Sequence, residues 1–316
     1  MEGNTLRGRN TSYEVTYFIL LGFPSRWEIQ IFLFSMFFMT YILTLFGNMA
    51  IMCAVHWDPR LHTPMYILLA NFSFLEIWYV NSDVPNLLIN FLSMAKTISF
   101  TGCLLQLYFF FSLGTTECLF LSIMAYDQFL AICRPLHYPT IMTTKFCYRL
   151  VIFCWVYGFL WFLIPVILIT LLPFCGPNVI DDFLCDLGPL LALASACVPI
   201  PGTVLICGTM SSLLIFSTFF YIISSYTLVL RSVMQVPSSA GWKKAFSTCS
   251  SHLAVVCLFY GSIMLTYVSP GSGQPEGMQK FTKLFYSVLT PLFNPVIYSL
   301  RNKEMKDALK KVLGDF

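Results

Sequence analysis

Long apolar runs alternate with short polar segments along the chain, and seven of these runs exceed 20 residues. Their apolar residues are continuous rather than alternating with polar ones, which is typical of bilayer-spanning helices and not of barrel strands. The stretch from Cys103 to Asp127, 24 residues further along the chain, is about 36 Å long as a helix and crosses the ~30 Å hydrocarbon core. The pattern predicts membrane-spanning helices over Ile29–Val55, Pro64–Ile89, Gly102–Cys133, Cys147–Leu172, Pro199–Leu230, Lys244–Val268 and Met278–Leu300.

A final segment, Asn302–Leu313, is too short to span a bilayer. At helical spacing it places Met305, Leu309 and Val312 on one face among lysines, as in a helix that lies at a membrane interface. The chain then divides into an amino-terminal segment over residues 1–28, a seven-transmembrane domain over 29–300 and a tail with an amphipathic helix over 301–316.

Composition agrees with this pattern. Of 316 residues, 57% are hydrophobic and 10% are charged, whereas soluble domains have about 25% charged residues. The sequence therefore predicts an all-α membrane protein, a seven-transmembrane helix bundle, with membrane lipid as its surroundings. The net charge of +3 is modest, and we expect no nucleic-acid partner.

The distribution of lysine and arginine predicts the orientation. With the amino terminus outside, 12 of the 18 basic residues fall on the cytoplasmic side, as the positive-inside rule requires. We therefore expect a multi-pass plasma-membrane protein with an extracellular amino terminus and a cytoplasmic carboxyl terminus. Asn10, within Asn-Thr-Ser, then lies on the glycosylated side. The start lacks a signal-peptide pattern, so the first span is expected to direct insertion.

Four cysteines fall on the outer side in this orientation: Cys103 at a helix end, and Cys175, Cys185 and Cys197 in the loop between spans four and five. That compartment permits disulfides. Four cysteines allow three pairings, and the spacing does not choose among them. A bond from Cys103 to the loop would fold the loop over the mouth of the bundle as a lid.

Two acidic residues lie inside predicted spans, Glu76 in span two and Glu117 in span three. Such residues are costly in a membrane and are functional candidates. If the two carboxylates meet in the bundle, they either share a proton or hold a cation such as Na⁺, with help from Asn48 and Ser122. The alternative is that both are protonated and hydrogen-bonded for packing.

The outer half of span three combines an aromatic cluster with Gly114 and Thr115 one turn below it. With Tyr260, Ile263 and Tyr267 of span six, these residues would line a mostly apolar cavity with a few hydroxyls. Such pockets suit small, poorly charged ligands. Ordinary helix packing by aromatic and small residues is the alternative explanation.

Two features of the last spans involve polar side chains. His252 has no partner at metal-ligand spacing, so a structural role is expected. Asn294 and Pro295, followed by Tyr298, interrupt span seven with a proline. The freed backbone groups allow a kink and a local rearrangement.

Several long phrases in order make the chain resemble an olfactory receptor of the tetrapod-type class, within the rhodopsin-like G-protein-coupled receptors. The phrases are Leu61–Tyr66, Met124–Cys133, Lys244–Cys249 with His252, and Pro291–Tyr298. The resemblance implies a receptor, not an enzyme, that takes a small-molecule odorant and signals through the heterotrimeric olfactory stimulatory G protein to adenylyl cyclase and cAMP.

The resemblance also implies roles for particular residues. It matches odorant contacts to Phe110, Phe111, Gly114, Thr115, Met210, Ser211, Ile263 and Tyr267. It matches a sodium-type site to Glu76 and Glu117 with Asn48, so that Na⁺ is the one ion expected and no other cofactor or metal is. It pairs Cys103 with Cys185 and Cys175 with Cys197, although the last cysteine stands two positions beyond the usual family position, which Ser195 occupies here.

The chain departs from the family at the inner end of span three, where Asp127–Gln128–Phe129 replaces Asp-Arg-Tyr. The resemblance implies that this arginine pairs with its acidic neighbour at rest and then reaches toward the G protein. Its absence here would either loosen the resting state or weaken engagement of the G protein. We assign G-protein coupling and switching to Asp127, Gln128, Asn294, Pro295 and Tyr298. Two alternatives follow: a receptor-like protein with impaired coupling, and an ion transporter or channel that uses Glu76, Glu117 and Asp127.

Overall fold

The structure is a computed structural model that describes residues 15–23, 26–93, 96–175, 177–234, 239–267, 276–301 and 303–314. Within these ranges, the side chains at 239–248, 251, 267, 276–278, 298–301, 303 and 313 are not described. Asn10 lies outside the described residues, so its glycosylation stays a prediction.

Helices form most of the described chain, and one π-helical segment, Phe285–Leu289, joins two of them into a continuous seventh span. The helices are α1 (Trp27–Trp57), α2 (Pro64–Leu92), α3 (Phe100–Cys133), α4 (Tyr138–Ile141), α5 (Thr144–Thr170), α6 (Leu187–Ser195), α7 (Pro201–Met234), α8 (Ser239–Tyr267), α9 (Glu276–Leu284), α10 (Thr290–Arg301) and α11 (Lys303–Gly314). A short 3₁₀ turn, Pro59–Leu61, follows α1.

The seven predicted spans coincide with α1, α2, α3, α5, α7, α8 and the continuous stretch from α9 to α10. Their ends differ from the predicted ones by at most five residues, the largest difference being at Ser239, where α8 begins. Among the described helices, α1, α3, α5 and α7 are long and apolar enough to cross a membrane by length and composition alone. The predicted seven-transmembrane, all-α fold is confirmed.

The bundle has polar groups inside and apolar groups outside, which is the arrangement that lipid requires. Phe46 of α1 is 60% exposed, whereas Glu76 of α2 is 0% exposed. α3 is the central helix, since it packs against α2, α5, α7 and α8. At its contact with α5, a Cβ on Gly158 would lie 2.0 Å from Thr116 Oγ1, so this close approach needs a glycine.

One end of the bundle, here called the loop face, carries a three-stranded sheet. Its strands are β1 (Tyr17–Leu20), β2 (Thr97–Ser99) and β3 (Val179–Ile180), in the order β2-β1-β3. β1 is antiparallel to β2, with Phe18 opposite Ile98, and parallel to β3. The sheet ties the segment before α1 to the long loop between α5 and α7.

Both predicted disulfides are present in the structure. Cys103 of α3 is bonded to Cys185 of the long loop, with 5.4 Å between their Cα atoms. Cys175 is bonded to Cys197 within that loop, with 5.5 Å between their Cα atoms. The first bond holds the loop and its helix α6 across the end of the bundle, as the lid hypothesis required.

The opposite end, here called the tail face, carries α4 and α11. Met305 is fully buried and Val312 is nearly so, and both pack with Leu309 against α1 and the turn that follows it. The hydroxyl of Tyr66 donates a hydrogen bond to Glu304 Oε2 at 2.9 Å. The tail segment therefore forms an amphipathic helix that docks on the bundle, with its bounds one residue later than predicted.

Candidate functional site

A cavity of about 550 Å³ lies beneath the loop lid. Its walls come from α2, α3, α5, α7, α8, α9 and the π segment, and the long loop with α6 covers it. This volume is typical of sites for small organic ligands.

Six of the eight predicted odorant contacts line this cavity. They are Phe110, Phe111, Gly114, Thr115, Ser211 and Ile263. Met210 does not line it, because neighbouring helix positions face different directions and the lining face of α7 carries Ser211 and Ser212 instead. Tyr260, expected at the wall, instead donates a hydrogen bond to Thr218 Oγ1 at 2.8 Å. The side chain of Tyr267 lies outside the described set.

Aromatic side chains that pack against one another form much of the cavity wall. Phe111 stacks on Phe162 of α5 with 4.6 Å between ring centroids. Phe110 packs against Tyr79 of α2 at 5.2 Å and against Tyr286 of the π segment at 5.9 Å. These rings lock one another's orientation, so the apolar surface that a ligand meets is largely preformed.

A few hydroxyl groups interrupt the apolar lining. Thr266 donates its hydrogen bond to Ser262 O at 2.9 Å, so that hydroxyl is already used as a donor. Ser211 Oγ is buried and has no hydrogen-bond partner. Because an unmade hydrogen bond of a buried hydroxyl is costly, Ser211 is the side chain of the wall best placed to bind a polar group of a ligand.

Two buried ion pairs and one half-buried pair close the cavity toward the loop face. Lys283 Nζ of α9 donates to both Asp182 Oδ2 and Asp186 Oδ2. Lys280 Nζ donates to Asp181 Oδ1 at 2.5 Å and to Gly22 O at 3.0 Å. All four of these contacts join segments distant in sequence, so the two lysines fasten α9 to the lid and to the segment before α1.

The ion pairs of Lys280 and Lys283, here called the rim of the cavity, include a carboxyl group whose pKa depends on burial as well as on pairing. Asp182 is 2% exposed, and burial raises its pKa above the usual value although Lys283 acts in the opposite direction. Its second oxygen accepts a hydrogen bond from the backbone N–H of Phe183 at 2.8 Å. The sequence shows the acidic charges of the loop, but it does not show which lysines pair with them. The feature that could have indicated the pairs is the spacing of Lys280 and Lys283, which are three residues apart and so share one face of a helix.

The predicted ion-site residues lie deeper in the bundle. Glu76 is fully buried and accepts a hydrogen bond from Asn294 Nδ2 of α10, and Glu117 interacts electrostatically with Glu76. Asn48 Nδ2 donates to Thr44 O at 3.0 Å and to Pro291 O at 3.2 Å. The oxygens Glu76 Oε2, Glu117 Oε1 and Asn48 Oδ1 have no hydrogen-bond partner.

These unpartnered oxygens fit a small hard cation, which takes oxygen ligands. Ser122 is not among the candidate ligands that the structure supports, because its hydroxyl donates to Cys118 O at 2.9 Å. The structure brings Glu76 together with Asn294, which the sequence had assigned to a different role.

At the tail face, Asp127 and Gln128, two of the residues predicted to couple to a G protein, each contact an uncharged side chain. Asp127 is 2% exposed, and Tyr138 of α4 donates a hydrogen bond to its Oδ1 at 2.9 Å. Burial raises the pKa of Tyr138. Gln128 is largely buried and points its amide toward Met65 Sδ at 3.7 Å. Sequence reasoning missed Tyr138, which lies eleven residues beyond Asp127 in a loop of no marked pattern.

Two further contacts hold the helices on this side. Pro295 of α10 packs against α1 at Gly47, where an added Cβ would lie 3.4 Å from the proline ring. Tyr226 Oη of α7 and His252 Nδ1 of α8 are 2.5 Å apart. His252 therefore has a polar partner inside the bundle, in line with the structural role expected for it. The side chain of Tyr298 is not described.

Comparison with known proteins assigns the chain to a family. The sequence model of the family described as olfactory receptor matches residues 37–315. The chain belongs to the olfactory receptor family. It is 64% identical over 304 residues to olfactory receptor 11H6 of Homo sapiens, covering 96% of this chain and 92% of that one. It is 63% identical over 305 residues to human olfactory receptor 11H4, covering 96% and 94% of the two chains.

More distant members support the same assignment. Human olfactory receptor 6N1 is 47% identical over 300 residues, covering 95% of this chain and 96% of that one. The resemblance stated from the sequence phrases is therefore confirmed. As a family member, this olfactory receptor is a membrane protein, and its relatives are receptors rather than enzymes. Odorant ligands and a G-protein partner are general properties of the family.

Proposed function

We propose that this olfactory receptor binds a small, mostly apolar volatile odorant in the cavity beneath the lid and then activates the olfactory stimulatory G protein, which raises cAMP. The observation that carries the proposal is an aromatic-walled cavity of about 550 Å³ in a chain that matches the family over residues 37–315. Family membership favours this function over the transporter or channel that the buried acids also suggested.

The lining suggests the ligand class. Phe110, Phe111 and Phe162 offer apolar area, whereas Ser211 offers one hydroxyl without a partner. A ligand with a compact hydrocarbon body and a single hydroxyl or carbonyl group would use both features. Gly114 leaves room beside Tyr79, whose ring would lie 3.8 Å from an added Cβ.

The orientation follows from the chemistry of the two faces. Disulfides persist in oxidising compartments, so the loop face with both disulfides lies outside the cell. The tail face then lies in the cytoplasm of a plasma-membrane receptor. The basic residues near its helix ends, such as Arg134, Lys145 and Arg231, agree with the positive-inside rule.

Two helices connect the cavity to the tail face. Ile263 of α8 lines the cavity, and His252, three turns along the same helix, contacts Tyr226 of α7. Tyr286 of the π segment also lines it, and Asn294 in the adjoining α10 is bonded to Glu76. A ligand that prefers one arrangement of these walls shifts the population of the receptor toward that arrangement.

We further propose Na⁺ as an allosteric ion held by Glu76, Glu117 and Asn48. Support comes from the unpartnered oxygen on each of these side chains and from the absence of a lysine, arginine or histidine paired with either acid among the described residues. The cation would offset two carboxylates in the interior of the bundle and would bias α2 against α10 through Asn294.

A specific observation favours one second candidate function, a receptor-like protein with weak coupling. Gln128 stands where the family has arginine, and its amide contacts a thioether rather than the carboxylate of Asp127. Asp127 is instead held by Tyr138. Without the arginine, the conformation that engages the G protein loses a charged contact.

The test is a cAMP assay in cells that express the full chain, the olfactory G protein and a surface tag, with an odorant panel. We expect an odorant-evoked rise in cAMP that mock cells lack. A bulky substitution in the wall, Gly114→Leu, should abolish it, whereas Phe46→Leu on the lipid-facing side should not. Silence of the wild type with a response of Gln128→Arg supports the second candidate; silence of both at full surface expression contradicts the proposal.

A further inference from the structure

The interior face of α2 carries a row of polar side chains, and Tyr79 is the member of the row that lines the odorant cavity. Glu76, Tyr79, Asp83, Asn86 and Asn90 follow one another at alternating spacings of three and four residues, so they share one face of the helix. All but Asn86 are less than 10% exposed. Polar side chains in a membrane-embedded helix are costly and mark binding sites or ion paths.

Asp83 is the member of this row that most needs an explanation, because it is a carboxyl group without a cationic partner. It is 2% exposed, and every ion pair among the described residues involves other acids. The side chain that interacts with it is Ser287 of the π segment, besides the backbone N–H groups of Asp83 and Val84. Asp83 Oδ1 and Ser287 Oγ have no hydrogen-bond partner of acceptable geometry.

A buried carboxylate in this position has to be neutralised by a proton or matched by a cation. The neighbouring unpartnered atom is a hydroxyl oxygen, Ser287 Oγ, which is 0% exposed. An unpartnered carboxylate oxygen beside an unpartnered hydroxyl oxygen offers the kind of ligands that hard cations take. Ser287 also lies in the π-helical segment, and such segments occur frequently at functional sites.

We propose that Asp83 and Ser287 form a binding site for a small monovalent inorganic cation, Na⁺ in the first place. The site is separate from the ion site at Glu76, since seven residues of helix set the two carboxyl groups about 10 Å apart along α2. It does not rest on the proposed odorant function.

The same row continues from Asp83 toward the end of α2 at the loop face. Asn86 Nδ2 and Asn90 Nδ2 are buried without hydrogen-bond partners, and Asn90 lies two residues before α2 ends at Leu92. Buried polar atoms of this kind are commonly bridged by water. Asp83 and Ser287 do not line the odorant cavity, whereas Tyr79 and Tyr286 do, so the proposed cation site lies beside the odorant cavity and not in it.

The direct test measures binding of radioactive ²²Na⁺ to the purified full chain in lipid nanodiscs, with choline chloride keeping the ionic strength constant. We expect the wild type to bind one more Na⁺ per receptor than Asp83→Asn, which keeps the shape of the side chain and removes its charge. The matched control is Glu76→Gln, which changes the other ion site and should leave the Asp83-dependent Na⁺ in place.

A second variant protects the test against misfolding of the first. Ser287→Ala should weaken the affinity of the same Na⁺ by about tenfold, the lower end for loss of a supporting group around a metal. Thermal unfolding of each variant in choline chloride checks that the fold is intact. Equal Na⁺ binding by the wild type and Asp83→Asn overturns the proposal and assigns Asp83 a proton. Neither assay contains odorant or G protein. The Na⁺-binding result can therefore be interpreted even if the proposed odorant function is wrong.

Discussion

The two ends of the bundle are held by different kinds of interaction. At the loop face, two disulfides and three ion pairs join the lid to the helices. At the tail face, the ion pair among the described residues is Arg60 with Asp58, and the Arg60 side chain is 54% exposed. The buried contacts there are hydrogen bonds such as Tyr138 to Asp127 and the short contact of Tyr226 with His252.

This difference indicates which end can move. A disulfide or a buried ion pair is expensive to break, because it leaves constrained chain or an unpaired buried charge. A single hydrogen bond contributes only about 0.5–1.5 kcal/mol net and can be exchanged for another. The loop face is therefore the more firmly held end, and the contacts at the tail face are the ones that can be exchanged at lower cost.

The largest expected effect comes from cutting the bond between Cys103 and Cys185. This bond closes a loop of 82 residues in sequence separation, and its chain-entropy contribution is about 4.5 kcal/mol. The Cys103→Ser, Cys185→Ser double variant should lose most of its surface expression, and its purified form should unfold at a much lower temperature.

The second disulfide supplies the matched control for this prediction. Cys175 and Cys197 are separated by 22 residues, so their double serine variant should cost about 1 kcal/mol less on the same scale. Substitution of the free, exposed Cys257 should have no effect. If the Cys103 variant expresses and unfolds like the wild type, the loop face is not held covalently in the way described.

The next effect comes from the ion pairs of the rim. Lys283→Met leaves Asp182 and Asp186 buried without their cation, and removing one partner of a buried pair costs about 3–5 kcal/mol. Thermal unfolding should show a large loss of stability, and the odorant response should weaken because the lid is no longer fastened to α9.

Lys280→Met is the matched variant, three residues away on the same helix. Its partner Asp181 has a side chain that is 45% exposed and is solvated when the lysine is lost. The loss of stability should therefore be smaller than for Lys283→Met and nearer to the ~1 kcal/mol of exposed pairs. If Lys283→Met and Lys280→Met lose equal stability, burial does not determine how much each ion pair contributes.

A smaller effect is expected at the tail face, from Tyr138→Phe. The substitution removes the hydroxyl that donates to Asp127 at 2.9 Å, which costs about 1–3 kcal/mol where the acceptor is a buried carboxyl group. Because the described conformation loses that contact, basal cAMP should rise in cells without odorant. Tyr148→Phe, at an exposed position of α5, is the control. A fall in basal cAMP would mean that Tyr138 serves the active arrangement instead.

Sequence reasoning reached the fold because a bilayer fixes the length of each apolar run within a few residues, whatever the tertiary contacts. It reached most of the cavity wall because the phrases that carry the family resemblance fix positions such as Gly114 and Ser211 on their helices. Met210 does not line the cavity although Ser211 does, because one position on a helix turns a side chain by about 100°.

Contacts between charges far apart in sequence could not be predicted in this way. Lys283 and Asp182 are 101 residues apart, and only the lid geometry brings them together. Asp83 was passed over because the sequence shows its polarity but not that Ser287, from another helix, lies beside it. The π segment that carries Ser287 also leaves no mark in the apolar pattern, since every residue of Phe285–Leu289 except Ser287 is apolar or aromatic.

The smallest expected effect is a pH dependence of stability. It tells whether burial or pairing with Lys283 dominates the pKa of Asp182. Burial raises the pKa of Asp182 above its value of 3.8 in the unfolded chain, so the folded receptor holds this proton more tightly. Stability from this group is then greatest below pH 3.8 and falls as the pH rises through the raised pKa. Asp182→Asn removes this decline but leaves Lys283 with Asp186. The difference in unfolding temperature between wild type and variant should therefore change with pH between 3.8 and the raised pKa, and not outside that range. A difference that stays constant within this range would mean that the attraction of Lys283 fully offsets the effect of burial on the pKa of Asp182.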